Sequence, residues 1–210
     1  MRKRSNYIGL EKKLSSFGIC LLNDILKLDP HFDSRRLNEW QKKGYITKLI
    51  KGVYIFNSIE TDESVLFQIA NHLSRPSYVS LETALSFYHL IPEQSFTITS
   101  VTTLKTNHYE TPKGNFIYQS VKPSLFFGYR VLPSQHRPIL IAEPEKALLD
   151  LLYLRPELND GDSIAALRWN TPEKEFFDEQ KLENYLRLFN SNALNRRLKI
   201  FKKVTHAAII

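Results

Sequence analysis

Asp33-Ser34-Arg35-Arg36-Leu37-Asn38-Glu39-Trp40-Gln41-Lys42-Lys43-Gly44 runs directly into Tyr45-Ile46-Thr47-Lys48-Leu49-Ile50-Lys51-Gly52-Val53-Tyr54-Ile55-Phe56. The first half has the marks of a helix. Asp33 or Ser34 supplies an N-cap oxygen, and Gly44 suits the left-handed residue that closes a helix. The second half holds two β-prone runs around Lys51-Gly52, the pattern of a hairpin. Upstream, Leu10 to Phe17 reads as a helix closed by Gly18. Leu21, Leu22, Ile25, Leu26 and Leu28 mark another, ended by Asp29-Pro30 because proline cannot continue the hydrogen-bond ladder. Helix, helix, tight turn, helix, hairpin is the order of a winged helix-turn-helix.

At about 100° per residue, Leu37 and Trp40 share the inward side of the third helix. Arg35, Asn38, Glu39 and Lys42 fall on the opposite side, with Arg36 and Lys43 flanking them. Arginine can pair with guanine O6 and N7, and asparagine with adenine N6 and N7. Lysines are point charges suited to phosphates, which position a protein without reading sequence. The expected DNA-contacting residues are therefore Arg35, Arg36, Asn38, Lys42, Lys43, Lys48 and Lys51, with Lys48 and Lys51 on the hairpin.

The charge distribution points the same way. The chain has 210 residues and a formal net charge of +7. Residues 1–56 carry 12 Lys/Arg against 5 Asp/Glu, whereas residues 57–210 carry 17 of each. The whole excess sits in the first quarter, as expected for a phosphate-contacting module attached to an uncharged partner. Charge alone would equally describe a solvated basic face or a basic arm. Hydrophobic residues at 42% argue for folded cores over disorder. No apolar run reaches the roughly 18 residues of a membrane span, and the basic start is not followed by the apolar stretch of a secretory signal. Cys20 is the single cysteine. These features predict a cytoplasmic chain with no internal disulfide.

Asn57 to Thr61 is a polar seam, so the expected units are residues 1–57 and 58–210. In the second, Asp62 to Leu73 and Ser80 to Tyr88 read as helices, the latter with Ser80 as N-cap. Phe96 to Thr103, Asn115 to Val121, Phe126 to Leu132 and Pro138 to Ile141 read as strands. Glu143-Pro144-Glu145 opens a helix, with proline in the first turn and acids on the positive dipole end. Its body is almost wholly apolar, so it belongs in a core. Asp150 there needs a hydrogen-bond partner or a route to solvent. The last stretch is helical, and its basic segment Arg196 to Lys203 reads first as a solvated helix face, with a second DNA contact and a partner-binding arm as the alternatives. Overall, the expected class is α+β: an N-terminal winged helix-turn-helix, then a mixed α/β domain with a mainly antiparallel sheet and C-terminal helices. A fragment ending near Glu60 is expected to fold on a core of Leu21, Leu22, Ile25, Leu37, Trp40, Ile46 and Val53.

An enzyme has less in its favour. No two histidines stand at i, i+4, and the seven glycines form no phosphate-cradling cluster. The best catalytic case is a Mg²⁺-dependent nuclease using Glu143, Glu145, Lys146 and Asp150. The simpler reading is a capped helix start with Lys146 exposed. No catalytic residue, metal or cofactor is expected.

Three segments resemble one family in order. Trp40 to Tyr54 is similar to the wing region of the AbiEi-type antitoxins, transcriptional regulators of type IV toxin–antitoxin and abortive-infection systems. Ser77 to Leu85 and Ile141 to Asp150 resemble parts of their second domain. The resemblance implies a repressor of its own operon, acting on operator DNA with inverted repeats, and it adds Ser34 to Arg35, Arg36, Asn38, Lys42, Lys48 and Lys51 as DNA-contacting residues. It implies a nucleotidyltransferase toxin as functional partner, opposed without a stable complex, and a second domain that does the opposing. A plain transcription factor with a ligand-sensing second domain and an interaction adaptor are the other non-enzyme readings.

Overall fold

The computed structural model describes residues 7–92, 97–170 and 177–207, with side chains to Thr205. Residues 1–6, which hold the basic start, and Phe96, the expected first residue of a strand, lie outside them. Among the described residues no helix is long and apolar enough to cross a membrane.

The N-terminal part runs α1 (Tyr7–Leu14), β1 (Ile19–Leu21), α2 (Leu22–Leu28), α3 (Arg35–Lys42), β2 (Ile46–Ile50) and β3 (Val53–Phe56). The three strands form an antiparallel sheet in the order β1-β3-β2. β1 was not expected. Ile19, Cys20 and Leu21 pair with Ile55, Tyr54 and Val53, so this strand fills the gap between the two expected helices and takes Leu21 from the second. Leu10, Leu14, Ile25, Phe32, Leu37, Trp40, Ile46, Tyr54 and Phe56 make a small core with Cys20, whose thiol burial pushes up to about 12.

The rest runs α4 (Glu63–Leu73), β4 (Ser77–Val79), α5 (Leu81–Phe87), β5 (Thr97–Thr102), β6 (Asn107–Thr111), β7 (Gly114–Ser120), β8 (Tyr129–Leu132), β9 (Ile139–Ala142), α6 (Pro144–Leu154), α7 (Gly161–Ala165), α8 (Glu179–Phe189) and α9 (Asn192–Ala207). Six strands form one sheet in the order β6-β7-β5-β4-β9-β8. β4–β9 and β5–β7 are parallel and the other three pairings antiparallel, so the sheet is mixed but mainly antiparallel. α6 packs against α5, α8 and α9. On α9, Leu198 and Phe201 are buried while Arg196, Lys199 and Lys203 are exposed, the arrangement of a packing helix with a solvated basic face.

The three-stranded sheet is covered on both sides. Tyr54 and Phe56 enter the small core. Val53 and Ile55, with Ile19 and Leu49, join the large core of the six-stranded unit. Alternation of side chains along a strand explains why all four residues of β3 are buried. The expectation for the fragment ending near Glu60 is corrected here: Val53 is not part of the small core, and such a fragment would bare Ile19, Leu49, Val53 and Ile55. The loop between β8 and β9 reinforces the contact. Arg137 meets Asp24 of α2 at 2.9 Å, donates to the Phe17 carbonyl and lies over the Phe17 ring. Gln68 donates to Ser134. Gly18 sits between these groups with φ +72°, and a Cβ there would stand 2.6 Å from Gln68 Oε1, so no side chain fits.

At the centre of the large core lies a charged pair. Lys146 and Asp150, one turn apart on α6, are ion-paired and fully buried. This corrects the expected exposure of Lys146. Its ammonium donates to Tyr78 Oη at 2.8 Å and lies within 5.4 Å of the ring centres of Tyr78, Phe127 and Phe189. Asp150 accepts from Tyr78 at 3.0 Å and Ser80 at 2.9 Å, the partners its position required. Ser80 stands at the helix N-cap position as expected, yet its hydroxyl is spent on Asp150 rather than on capping. Burial pushes the Asp150 carboxyl up and the Lys146 ammonium down, and the attraction between them offsets only part of that. Removing one partner of such a pair costs about 3–5 kcal/mol, whereas replacing both with apolar residues is often neutral. Asp150→Ala is therefore expected to lower the urea midpoint sharply, and Lys146→Met with Asp150→Leu to restore most of it. A single-variant cost below about 1 kcal/mol would show that the pair is not tightly desolvated.

Candidate nucleic-acid interface

α3 presents the face its sequence predicts. Leu37 and Trp40 are buried, and the Trp40 ring meets those of Phe32 and Tyr7 at 5.6 and 5.5 Å. Arg35, Asn38, Glu39, Lys42 and Lys43 are exposed. Asp33 rather than Ser34 satisfies the helix start, accepting from the Arg35 backbone N–H at 3.0 Å. Its carboxylate also meets the Arg35 guanidinium at 3.1 Å, which holds the Asp33 carboxyl below its ordinary range. Both groups are on the surface, where such a pair is weak and readily exchanged. Asn38 is exposed, and its Oδ1 accepts from Gln41 Nε2 at 3.4 Å.

Arg36 differs from its neighbours. Its guanidinium lies 5.6 and 5.3 Å from the Phe32 and Trp40 ring centres and is half-buried. That stacking fixes the helix start to its own core. On the hairpin, Lys48 stands across from Tyr54, and Lys51 occupies the exposed turn. Ser34 opens α3 on the side of that turn, where Ser34, Asn38 and Lys51 line one cleft. Sequence-based reading therefore finds residues on two elements that the fold brings to one side.

It misses what the second unit adds. His72, near the end of α4, lines the same cleft. Its Nδ1 is buried without a partner among the described residues. Burial pushes its pKa down to about 4, and the charges of Arg75 and Arg137 add to the effect. A lone histidine at a helix end gives no sequence signal of this placement.

The four residues of the nuclease reading do not converge. Glu143 accepts from Tyr185 at 2.5 Å and meets Lys181 at 3.5 Å, and Glu145 accepts from the Asp178 backbone N–H at 2.9 Å. Lys146 and Asp150 are committed to each other. Among the described residues no group of three or more His, Cys, Asp or Glu is placed to hold a metal ion.

No family model matches the chain, and no curated protein matches it.

The low value at His72 sets a pH dependence. The folded chain keeps this imidazole neutral down to about 4, while the unfolded chain takes up its proton near the ordinary 6.5. The unfolded state then binds more protons, so stability falls as pH drops through that window. His72→Gln is expected to flatten this part of a plot of urea midpoint against pH. An unchanged slope would assign it to other groups.

Proposed function

We propose that this chain is a DNA-binding transcriptional repressor whose N-terminal unit is a winged helix, and that it serves as the antitoxin of a type IV toxin–antitoxin system. The observation that carries the DNA-binding reading is geometric. Helix, strand, helix, helix and hairpin follow in order, and Ser34 and Asn38, at the start of α3, share one cleft with Lys51 at the hairpin turn. α3 in the major groove brings Arg35 and Asn38 to base edges. Lys42, Lys43, Lys48 and Lys51 then meet phosphates, and Arg36 steadies the helix instead of reading bases. The concentration of positive charge in residues 1–56 supports the same side facing DNA.

The antitoxin role rests on the resemblance of Trp40 to Tyr54, Ser77 to Leu85 and Ile141 to Asp150 to the AbiEi-type regulators. On this reading the operator is an inverted repeat, the opposed toxin is a nucleotidyltransferase, and the chain works in the cytoplasm without catalysing a reaction.

Phosphate contacts release counterions, so affinity is expected to fall with salt at a log–log slope near −0.9 per contact, for about four to eight contacts. An affinity independent of salt in an anisotropy titration would overturn the winged-helix reading. Arg35→Ala and Asn38→Ala are expected to cost about 1–3 kcal/mol on the preferred site and to relax base preference there. Lys51→Ala is expected to weaken preferred and scrambled duplexes equally. If Lys51→Ala alone changed preference, the roles of helix and hairpin would be reversed. Co-expression of the full chain with the nucleotidyltransferase encoded beside it is expected to restore growth, and a failure to do so would sink the antitoxin role alone.

A further inference from the structure

An open cleft of about 640 Å³ lies where α2, α3 and the β2–β3 turn meet the end of α4. Asn23, Ser34, Asn38, Lys51, Tyr54 and His72 supply its polar groups. Five of these belong to the N-terminal part and one does not. His72 comes from the unit built on the six-stranded sheet, and its ring nitrogen is buried with no partner among the described residues. Leaving a buried polar atom unpaired is costly, and such atoms in native folds call for a reason. Three residues on, Arg75 is exposed, and its charge acts on His72 directly. Its Nε donates to the Asn71 carbonyl at 3.4 Å, and it forms no ion pair among the described residues. Arg137, also close to His72, is neutralised by Asp24. Among the described residues the cleft lining thus holds polar side chains, one lysine and no carboxylate, and of the charges of Arg75, Arg137 and Asp24 that act on His72 the acid is already paired.

We propose that this cleft seats a backbone phosphate of bound duplex DNA, and that His72 and Arg75 carry the DNA-contacting surface from the N-terminal unit onto the second unit. The proposal rests on the DNA-binding reading above. A phosphate there meets the donors of Asn23 and Ser34 and the charge of Lys51, while Asn38 stays with the bases. Its charge also favours the protonated form of His72, in which both ring nitrogens donate. Arg75 adds a second cation within reach of the same or the adjacent phosphate. The second unit then does more than hang from the DNA-binding unit, because it sets how the duplex lies across the cleft.

The test uses the full chain and anisotropy titrations with a scrambled duplex over a range of salt, comparing Arg75→Gln, His72→Ala and Lys51→Ala with the parent. Far-UV circular dichroism and melting temperature check each fold. Arg75→Gln is expected to weaken binding several-fold and to reduce the salt slope by about 0.9, the share of one contact. His72→Ala is expected to weaken binding with the slope nearly kept, and to remove any strengthening of affinity on lowering pH from 7.5 to 6. Base preference is expected to stay the same in both. If Lys51→Ala weakens binding while Arg75→Gln and His72→Ala do not, the second unit is outside the DNA surface and this proposal falls while the DNA-binding reading stands. If the parent shows no salt-dependent binding, the DNA-binding reading itself falls. Inorganic phosphate added at constant ionic strength is expected not to displace the duplex, and displacement would assign the cleft to the free anion and overturn the proposal.

Discussion

Strand β3 has two cores to fill, and its alternation lets it serve both. Tyr54 and Phe56 close the small core under α3, while Val53 and Ile55 enter the large core beside α4 and the six-stranded sheet. Neither face can slip by one residue without exchanging the two sets. The register of the hairpin is therefore fixed from both sides, and with it the position of Lys48 and Lys51. β1 depends on the same strand, since among the described residues its one sheet neighbour is β3. The relative placement of the two units follows from hydrophobic burial, and the Asp24–Arg137 pair and the Gln68–Ser134 bond add direction to a contact already made.

Much of this was legible in the sequence, for identifiable reasons. α3 could be resolved by face because Leu37 and Trp40 are its only large apolar residues and stand three apart. The hairpin could be placed because a Lys-Gly pair separates two β-prone runs. β1, β4 and β6 could not be found. β1 and β4 have three residues each, too few for alternation to register, and β6, Asn107–Thr111, is an edge strand with little apolar content. Lys146 was misread because the chemistry of a helix start accounts for its neighbours without any tertiary partner. Its spacing of four from Asp150, in a helix otherwise apolar all round, was the available signal. The placement of His72 had no local signal, because the cleft it lines is made by residues from Leu21 to Tyr54, well upstream in the chain.

The difference between Arg35 and Arg36 shows what periodicity leaves out. The two are adjacent, and both fall on the polar side of the wheel. Yet Arg36 reaches two aromatic rings and gives up its freedom, while Arg35 meets only an exposed carboxylate. A guanidinium stacked on rings keeps its charge and its in-plane donors, but the rings dictate where that fork points. An arginine in a surface ion pair can still turn its fork to a base, because exchanging Asp33 for guanine O6 and N7 costs little when the pair is solvated. Helix angle selects candidates, and packing sorts them.

Electrostatics imposes a further condition on where the second unit sits. Residues 57–195 carry 12 Lys/Arg against 17 Asp/Glu, so this body would repel a duplex if its acids faced one. Screening limits the reach of each charge to about 8 Å at physiological ionic strength, so only those near the contact count. Around α2 the second unit places His72, Arg75, His136 and Arg137, none of them acidic, while its β6, which carries Glu110, meets β2. The acid it meets there, Asp24, belongs to the basic unit and is consumed by Arg137. An acidic body can thus be joined to a basic module without cancelling the field of that module. The junction does so by spending one arginine on the module's own carboxylate and leaving another, Arg75, beside the cleft that Lys51 borders.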